Sequence, residues 1–96
     1  MQIRISKKED LQNIVKITTE NIKNVKRVVI YGYLQNTVDF DKSLVAEEDG
    51  QIVGTLLFGR PTSKTIEGIL FVISPDYRKN RLDRKMLVTA LSTVLQ

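Results

Sequence analysis

Asp49-Gly50 stands between two strand-like runs, Ser43–Glu48 and Gln51–Gly59. A two-residue type I′ hairpin needs positive φ at both central positions, and Asp-Gly supplies that at low steric cost. The pair commits the middle of the chain to two antiparallel strands. Pro61-Thr62-Ser63-Lys64 reads as a second connection, and Thr65–Ser74 (TIEGILFVIS) as the next strand. Its second half is apolar on both faces, as expected of a central strand covered from both sides. Pro75 and Asp76 end it.

Helical periodicity flanks this meander. Met1–Ser6 alternates as a half-buried strand, and Ser6-x-x-Glu9 has the spacing of a capping box. Leu11, Ile14, Val15, Thr18, Ile22 and Val25 then recur at three and four, predicting one helix from about Lys7 to Lys26. Val28–Phe40 carries two signals. Val29, Ile30, Tyr33, Leu34 and Val38 fit a short second helix, while Gly32 and the β-branched residues argue against one. From about Arg81 to Leu95 a last helix presents Leu82, Met86, Leu87, Ala90, Leu91, Val94 and Leu95 as a broad apolar face. The order β-α-(α)-β-β-β-α predicts an α+β fold, a mainly antiparallel sheet with helices packed on it, and 96 residues suit one domain spanning 1–96.

Cysteine and histidine are both absent. That removes thiolate nucleophiles, imidazole bases, iron–sulfur ligands and the common zinc sites, so no metal is expected. A net charge of +4 suits an anionic ligand or partner. A nucleic-acid role is disfavoured, because the chain lacks a stacking aromatic platform and a recognition-helix motif. The longest apolar run, Ile69–Ile73, is far short of a membrane span, and the start has no apolar run of a secretory signal. A cytoplasmic location is the expectation, which the lack of cysteine suits.

Two stretches resemble the GNAT family of acetyl-CoA-dependent N-acetyltransferases. Ile3-Arg4-Ile5-Ser6 with Glu9-Asp10-Leu11 looks like the family's opening strand and helix, and Leu44–Phe58 fits its second and third strands. Phe71-Val72-Ile73-Ser74-Pro75-Asp76-Tyr77-Arg78 looks like its fourth strand and V-x-P-x-Y-R exit. The likeness runs over essentially all of this chain and over the first half to two-thirds of a usual member.

The resemblance implies acetyl-CoA as cofactor, with Phe71, Val72 and Ile73 as backbone-binding positions. The family's loop continues Q/R-x-x-G-x-G/A around a diphosphate; here Arg78, Lys79, Asn80, Arg81, Leu82 and Asp83 occupy it. Arg78 matches, but Arg81 and Asp83 stand where the family has glycines. With Asn80 as N-cap, Asp83 falls at the third helical position, where its carboxylate would satisfy the donors a diphosphate uses and repel that diphosphate. Against this, Arg78, Lys79, Arg81, Arg84 and Lys85 outnumber Asp76 and Asp83.

In the family a fourth-strand Glu is often the base and a later Tyr the acid. Glu67 is the one carboxylate on that strand here; it lies near the strand's start, further from Pro75 than such a base would stand, and a solvated strand-edge charge is the preferred explanation of it. Tyr77 belongs to the exit motif. Tyr31 and Tyr33 lie where relatives bind acceptor, or pack as core aromatics. The family's fifth strand, fourth helix and final strands have no counterpart in this sequence. These departures imply a GNAT-like pseudoenzyme acting through protein contacts, as inhibitor or adaptor. A minimal N-acetyltransferase acting on an amine is the alternative. An unpaired edge on the fourth strand implies a homodimer or a protein partner that covers it.

Overall fold

The computed structural model describes residues 1–95. Four strands, β1 (Gln2–Ile5), β2 (Leu44–Glu48), β3 (Gln51–Thr62) and β4 (Thr65–Ile73), form one antiparallel sheet in the order β1-β2-β3-β4. Helices α1 (Leu11–Asn21) and α2 (Arg27–Thr37) are followed in the chain by β2–β4 and then by α3 (Leu82–Thr93). The α+β order is the one the periodicity predicts. Asp49 (φ 53°) and Gly50 (φ 77°) both take left-handed backbone at the β2–β3 turn, as a type I′ hairpin requires.

Alternation along the strands divides the core between the sheet's two faces. Leu44, Ala46, Leu56 and Ile73 pack with Leu82, Met86 and Ala90 of α3 and with Val94 just past its end. Val45 and Leu57 pack with Leu11, Ile14 and Val15 of α1 and Leu34 of α2. The result is a three-layer sandwich. Gly54 permits close approach of α3, since a Cβ there would meet Ile73 Cδ1 at 3.0 Å and Met86 Sδ at 3.1 Å.

Several boundaries differ from the sequence expectation. The first helix stops at Asn21 instead of reaching Lys26: Ile22 adopts extended backbone and Asn24 turns the chain at φ 64°, a conformation asparagine tolerates better than most residues. The Ser6–Glu9 capping box does not form. Ser6 is buried and its hydroxyl donates to the Phe40 carbonyl at 2.8 Å, while the Asp10 carboxylate accepts from the Lys7 amide at 2.7 Å. The ambiguous Val28–Phe40 segment contains helix α2.

β3 runs past Gly59 to Thr62, so Pro61 lies inside a strand. A register irregularity between Gly59 and Thr62 accommodates it, as proline's missing donor requires. Among the described residues β4 is the terminal strand of the sheet, not a central one. Its apolar second half does meet core on both faces, Ile69 and Leu70 on the α1–α2 side and Ile73 on the α3 side.

α3 begins at Leu82 with Arg81 as N-cap, not at Asn80, so Asp83 is the second helical residue and no side chain caps the helix. Its expected broad face is divided: Leu82, Met86, Ala90 and Val94 are buried, whereas Leu87, Leu91 and Leu95 are exposed.

At the β1–α1 junction Arg4 grips two carboxylates. Its guanidinium donates to both oxygens of Asp10, at 2.8 and 2.9 Å, and to Glu47 Oε1 at 2.8 Å. The Arg4 hydrogen bonds hold the Asp10 carboxyl below its ordinary value. A carboxylate depressed on folding adds stability above its unfolded pKa and loses it as pH falls through the folded value. Asp10→Asn is therefore expected to lower unfolding stability by about 2 kcal/mol at neutral pH. The difference from the parent should shrink below about pH 4 as Asp10 protonates. Urea unfolding of both proteins at pH 7 and pH 3 checks this.

Candidate functional site

The end of β4 and the loop after it bring several of the sequence-selected residues together. The Ser74 amide donates to the Val53 carbonyl at 2.8 Å, which fastens the exit of β4 to β3. Pro75–Asn80 then winds as a 3₁₀ segment. Within it, Arg78 turns back and its Nε donates to the Ile73 carbonyl at 3.2 Å, placing a guanidinium over the strand's last residue.

These elements enclose a cleft of about 430 Å³, lined by Asn21, Ile22, Phe71, Val72, Ile73, Arg78 and Asp83. Five of the sequence-selected positions thus meet: Phe71–Ile73, Arg78 and Asp83. Lys79, Asn80 and Arg81 are exposed outside the cleft lining. Leu82 is 1 % exposed and belongs to the α3 core, a packing role.

Arg81 has φ 54° and ψ 37°. This left-handed backbone favours glycine, so the loop keeps a glycine-type conformation with an arginine in it. The Asp83 carboxylate makes no capping bond; it lies in the first turn of α3 and lines the cleft. The expectation that it occupies the helix donors is not met. Its charge near the positive end of the helix nonetheless opposes a second anion there.

Glu67 lies elsewhere. It is exposed, pairs in register with Gly59, and lines a smaller cleft of about 210 Å³ with Tyr33, Asn36, Thr37, Arg60 and Ile69 among others. Four residues along a strand put it about 13 Å from Phe71. A register irregularity lies between the two: Leu57 pairs with Leu70 but Phe58 with Gly68, leaving Ile69 as the extra residue of a bulge. Of the second-helix tyrosines, Tyr31 packs against the α1–α2 core, whereas Tyr33 is exposed beside Glu67.

Asn21 and Ile22 are cleft residues that sequence reasoning missed, because only the early end of α1 brings them against β4. Tyr77 packs at the edge of the α3-side core, and the neighbouring Glu48 carboxylate, as hydrogen-bond acceptor, raises its phenol above the ordinary value. Among the described residues, no group of three His, Cys, Asp or Glu side chains is placed to hold a metal, and no helix is long and apolar enough to cross a membrane.

The profile of the Acetyltransferase (GNAT) family matches residues 9–95. Comparison with curated proteins gives no significant match. Among solved structures, Ard1 from Thermoplasma volcanium superposes with a TM-score of 0.70 at 16 % identity, over 95 % of this chain and 61 % of its own. An aminoglycoside antibiotic 6'-N-acetyltransferase from Acinetobacter haemolyticus gives 0.72 at 13 %, over 100 % of this chain and 72 % of its own. N-acetylglutamate synthase from Neisseria gonorrhoeae, in complex with coenzyme A and N-acetyl-glutamate, gives 0.52 at 17 %, over 96 % and 23 %. At such identities the likeness is one of fold, and the chain spans less than two-thirds of the Thermoplasma protein.

Proposed function

Because this chain belongs to the GNAT acetyltransferase family, we propose that it binds acetyl-CoA at the end of β4 and serves acetyl transfer to an amine. The observation that carries this reading is the meeting of Phe71, Val72, Ile73 and Arg78 in one cleft. The residues there suit such a group. Among the described residues β4 is the last strand of the sheet, and its outer edge has backbone N–H and C=O groups for an amide-bearing chain. Arg78 and the nearby basic residues offer charge-assisted bonds to phosphate, and the left-handed Arg81 leaves the loop backbone in the shape a glycine would take. Asp83 is the one lining residue that opposes an anion.

Bound there, acetyl-CoA supplies an activated acetyl thioester. The chain's own part is to hold that group and to take a proton from the incoming ammonium, since only the neutral amine is a nucleophile. Glu67 is the sole carboxylate on β4, and its carboxylate oxygen is the assigned proton acceptor. Tyr33, exposed in the same cleft, offers a phenol O–H to orient the amine.

A second reading rests on two observations, the Asp83 carboxylate within the cofactor cleft and the separation of Glu67 from it. Under it the domain no longer transfers acetyl groups and works through protein contacts. Release of free coenzyme A, followed with a thiol-reactive dye, separates the two. The chain has no cysteine to react with the dye. Amine-dependent release that drops by about 100-fold in Glu67→Gln supports transfer. Cofactor binding without release, across amines and peptide N-termini, favours the second reading.

A further inference from the structure

The smaller cleft at Glu67 holds one charge of each sign, and the two do not pair with each other. Its walls come from the end of α2, the far half of β3 and the first half of β4, and include Tyr33, Asn36, Gly59, Arg60, Glu67 and Ile69. Glu67 pairs in register with Gly59, so both belong to the sheet face turned toward α2. With no side chain at Gly59, the space next to the Glu67 carboxylate stays open. Ile69 gives that space an apolar wall.

Arg60 follows Gly59 and is oriented by the chain around it. Its Nη2 donates to the Ser63 carbonyl at 3.0 Å, and its Nε lies 4.0 Å from Asp39 Oδ2, beyond hydrogen-bond reach. A guanidinium has five N–H donors in a planar fork. Both hydrogens of Nη1 and the second of Nη2 are therefore left for a ligand. Among the described residues Glu67 has no ion-pair partner. Asn36 gives one side-chain N–H to the Gly32 carbonyl at 2.9 Å, and its side-chain oxygen remains an acceptor in the same cleft. Around Arg60, Lys42 and Lys64 in one neighbouring cleft and Lys7, Lys8, Glu9, Asp39 and Asp41 in another leave that end net positive.

We propose that this cleft takes the acceptor as an amino acid, a small amine whose own carboxylate is held by Arg60 while its ammonium meets Glu67. The inference deepens the transfer reading and rests on it, because the proton that Glu67 accepts comes from this ammonium. An amino acid carries both charges that the cleft complements, and each contact is a charge-assisted hydrogen bond. Arginine suits the carboxylate, since its fork reaches both oxygens at once. A diamine would bring a second positive charge against Arg60 and is rejected by that repulsion. Size agrees. At about 210 Å³ the cleft falls below the ~300 Å³ at which drug-sized sites begin, so it suits a small molecule.

Binding is read first without turnover, by amide NMR spectra of the chain, alone and with free coenzyme A. The standard amino acids, the corresponding amino acid amides and a diamine are titrated in turn. At least one amino acid is expected to shift the Thr37, Gly59 and Glu67 resonances saturably, binding about 10- to 100-fold tighter than its amide. Arg60→Ala should bring that ratio near one, and Arg60→Lys should leave it in between, because lysine keeps the charge but not the fork. The Arg60 side chain is 42 % exposed, so circular dichroism of both variants should match the parent. Coenzyme A release from acetyl-CoA should then rank acid over amide in the same order. Equal affinity for acid and amide, a preference that survives Arg60→Ala, or binding of the diamine alone would each overturn the proposal. Amino acid binding that depends on Arg60, with no release of coenzyme A, would contradict the transfer reading alone. Release with the diamine or with peptide amino termini, and none with amino acids, would contradict this inference alone.

Discussion

Gly59→Ala is expected to destabilise the domain by about 2 to 3 kcal/mol, the range of a forced overpacking. A Cβ at this position would lie 2.7 Å from the Thr37 carbonyl oxygen and 2.8 Å from Ile69 Cδ1. The isoleucine can rotate, but the carbonyl is backbone at the end of α2 and must move with its helix. That helix end is held nearby, where the Asp39 amide donates to the Phe58 carbonyl at 2.8 Å. The strain therefore falls on the α2–β3 junction, which is one wall of the Tyr33–Glu67 cleft. For a domain of this size the loss corresponds to roughly 10–20 °C in melting temperature. Gly32→Ala is the matched control. A Cβ there meets nothing within 4 Å, and Gly32 is inside α2. That variant should gain about 0.5–1 kcal/mol from helix propensity. Differential scanning of both against the parent checks the pair, and equal melting temperatures for all three would contradict the packing account.

Arg81→Gly combined with Asp83→Gly is expected to tighten acetyl-CoA binding by about tenfold or more, a gain of about 1.4 kcal/mol. Two effects add. Removing the Asp83 carboxylate takes a negative charge out of the cleft, at the end of α3 where an anion is otherwise favoured. Glycine at position 81 accepts the observed φ of 54° without the cost that an L side chain carries. Asp83→Asn alone separates the charge from the backbone contribution. Unchanged affinity in all of these variants would remove Asp83 and Arg81 from any account of cofactor weakness.

The features legible in the sequence are those whose cause is local. Asp49-Gly50 names its turn because few residue pairs take positive φ twice, and α1's stripe of Leu11, Ile14, Val15 and Thr18 names its buried face. What stayed hidden depends on tertiary placement. β4 reads as central because its second half is apolar on both faces, and that pattern reports cover on the faces, not whether a strand pairs with each edge. Leu87, Leu91 and Leu95 read as core because the period of a helix tells which residues share a row, not whether that row meets the sheet. The end of α1 was missed because Ile22 and Val25 continue the spacing after the backbone has turned. Arg4's grip on Asp10 and Glu47 joins β1 to the start of α1 and to β2, and no short pattern records it. At the candidate site, Phe71–Ile73 and Arg78 were legible through a motif, and Asn21 and Ile22 only through the fold.

Calorimetric titration of the chain with acetyl-CoA tests the central claim most directly, that the cleft between β4, its exit loop and α3 is a cofactor site. Saturable binding in the micromolar range, lost in Arg78→Ala while that variant keeps its melting temperature, is the predicted result. No heat at millimolar acetyl-CoA, or binding that Arg78→Ala leaves unchanged, would contradict it.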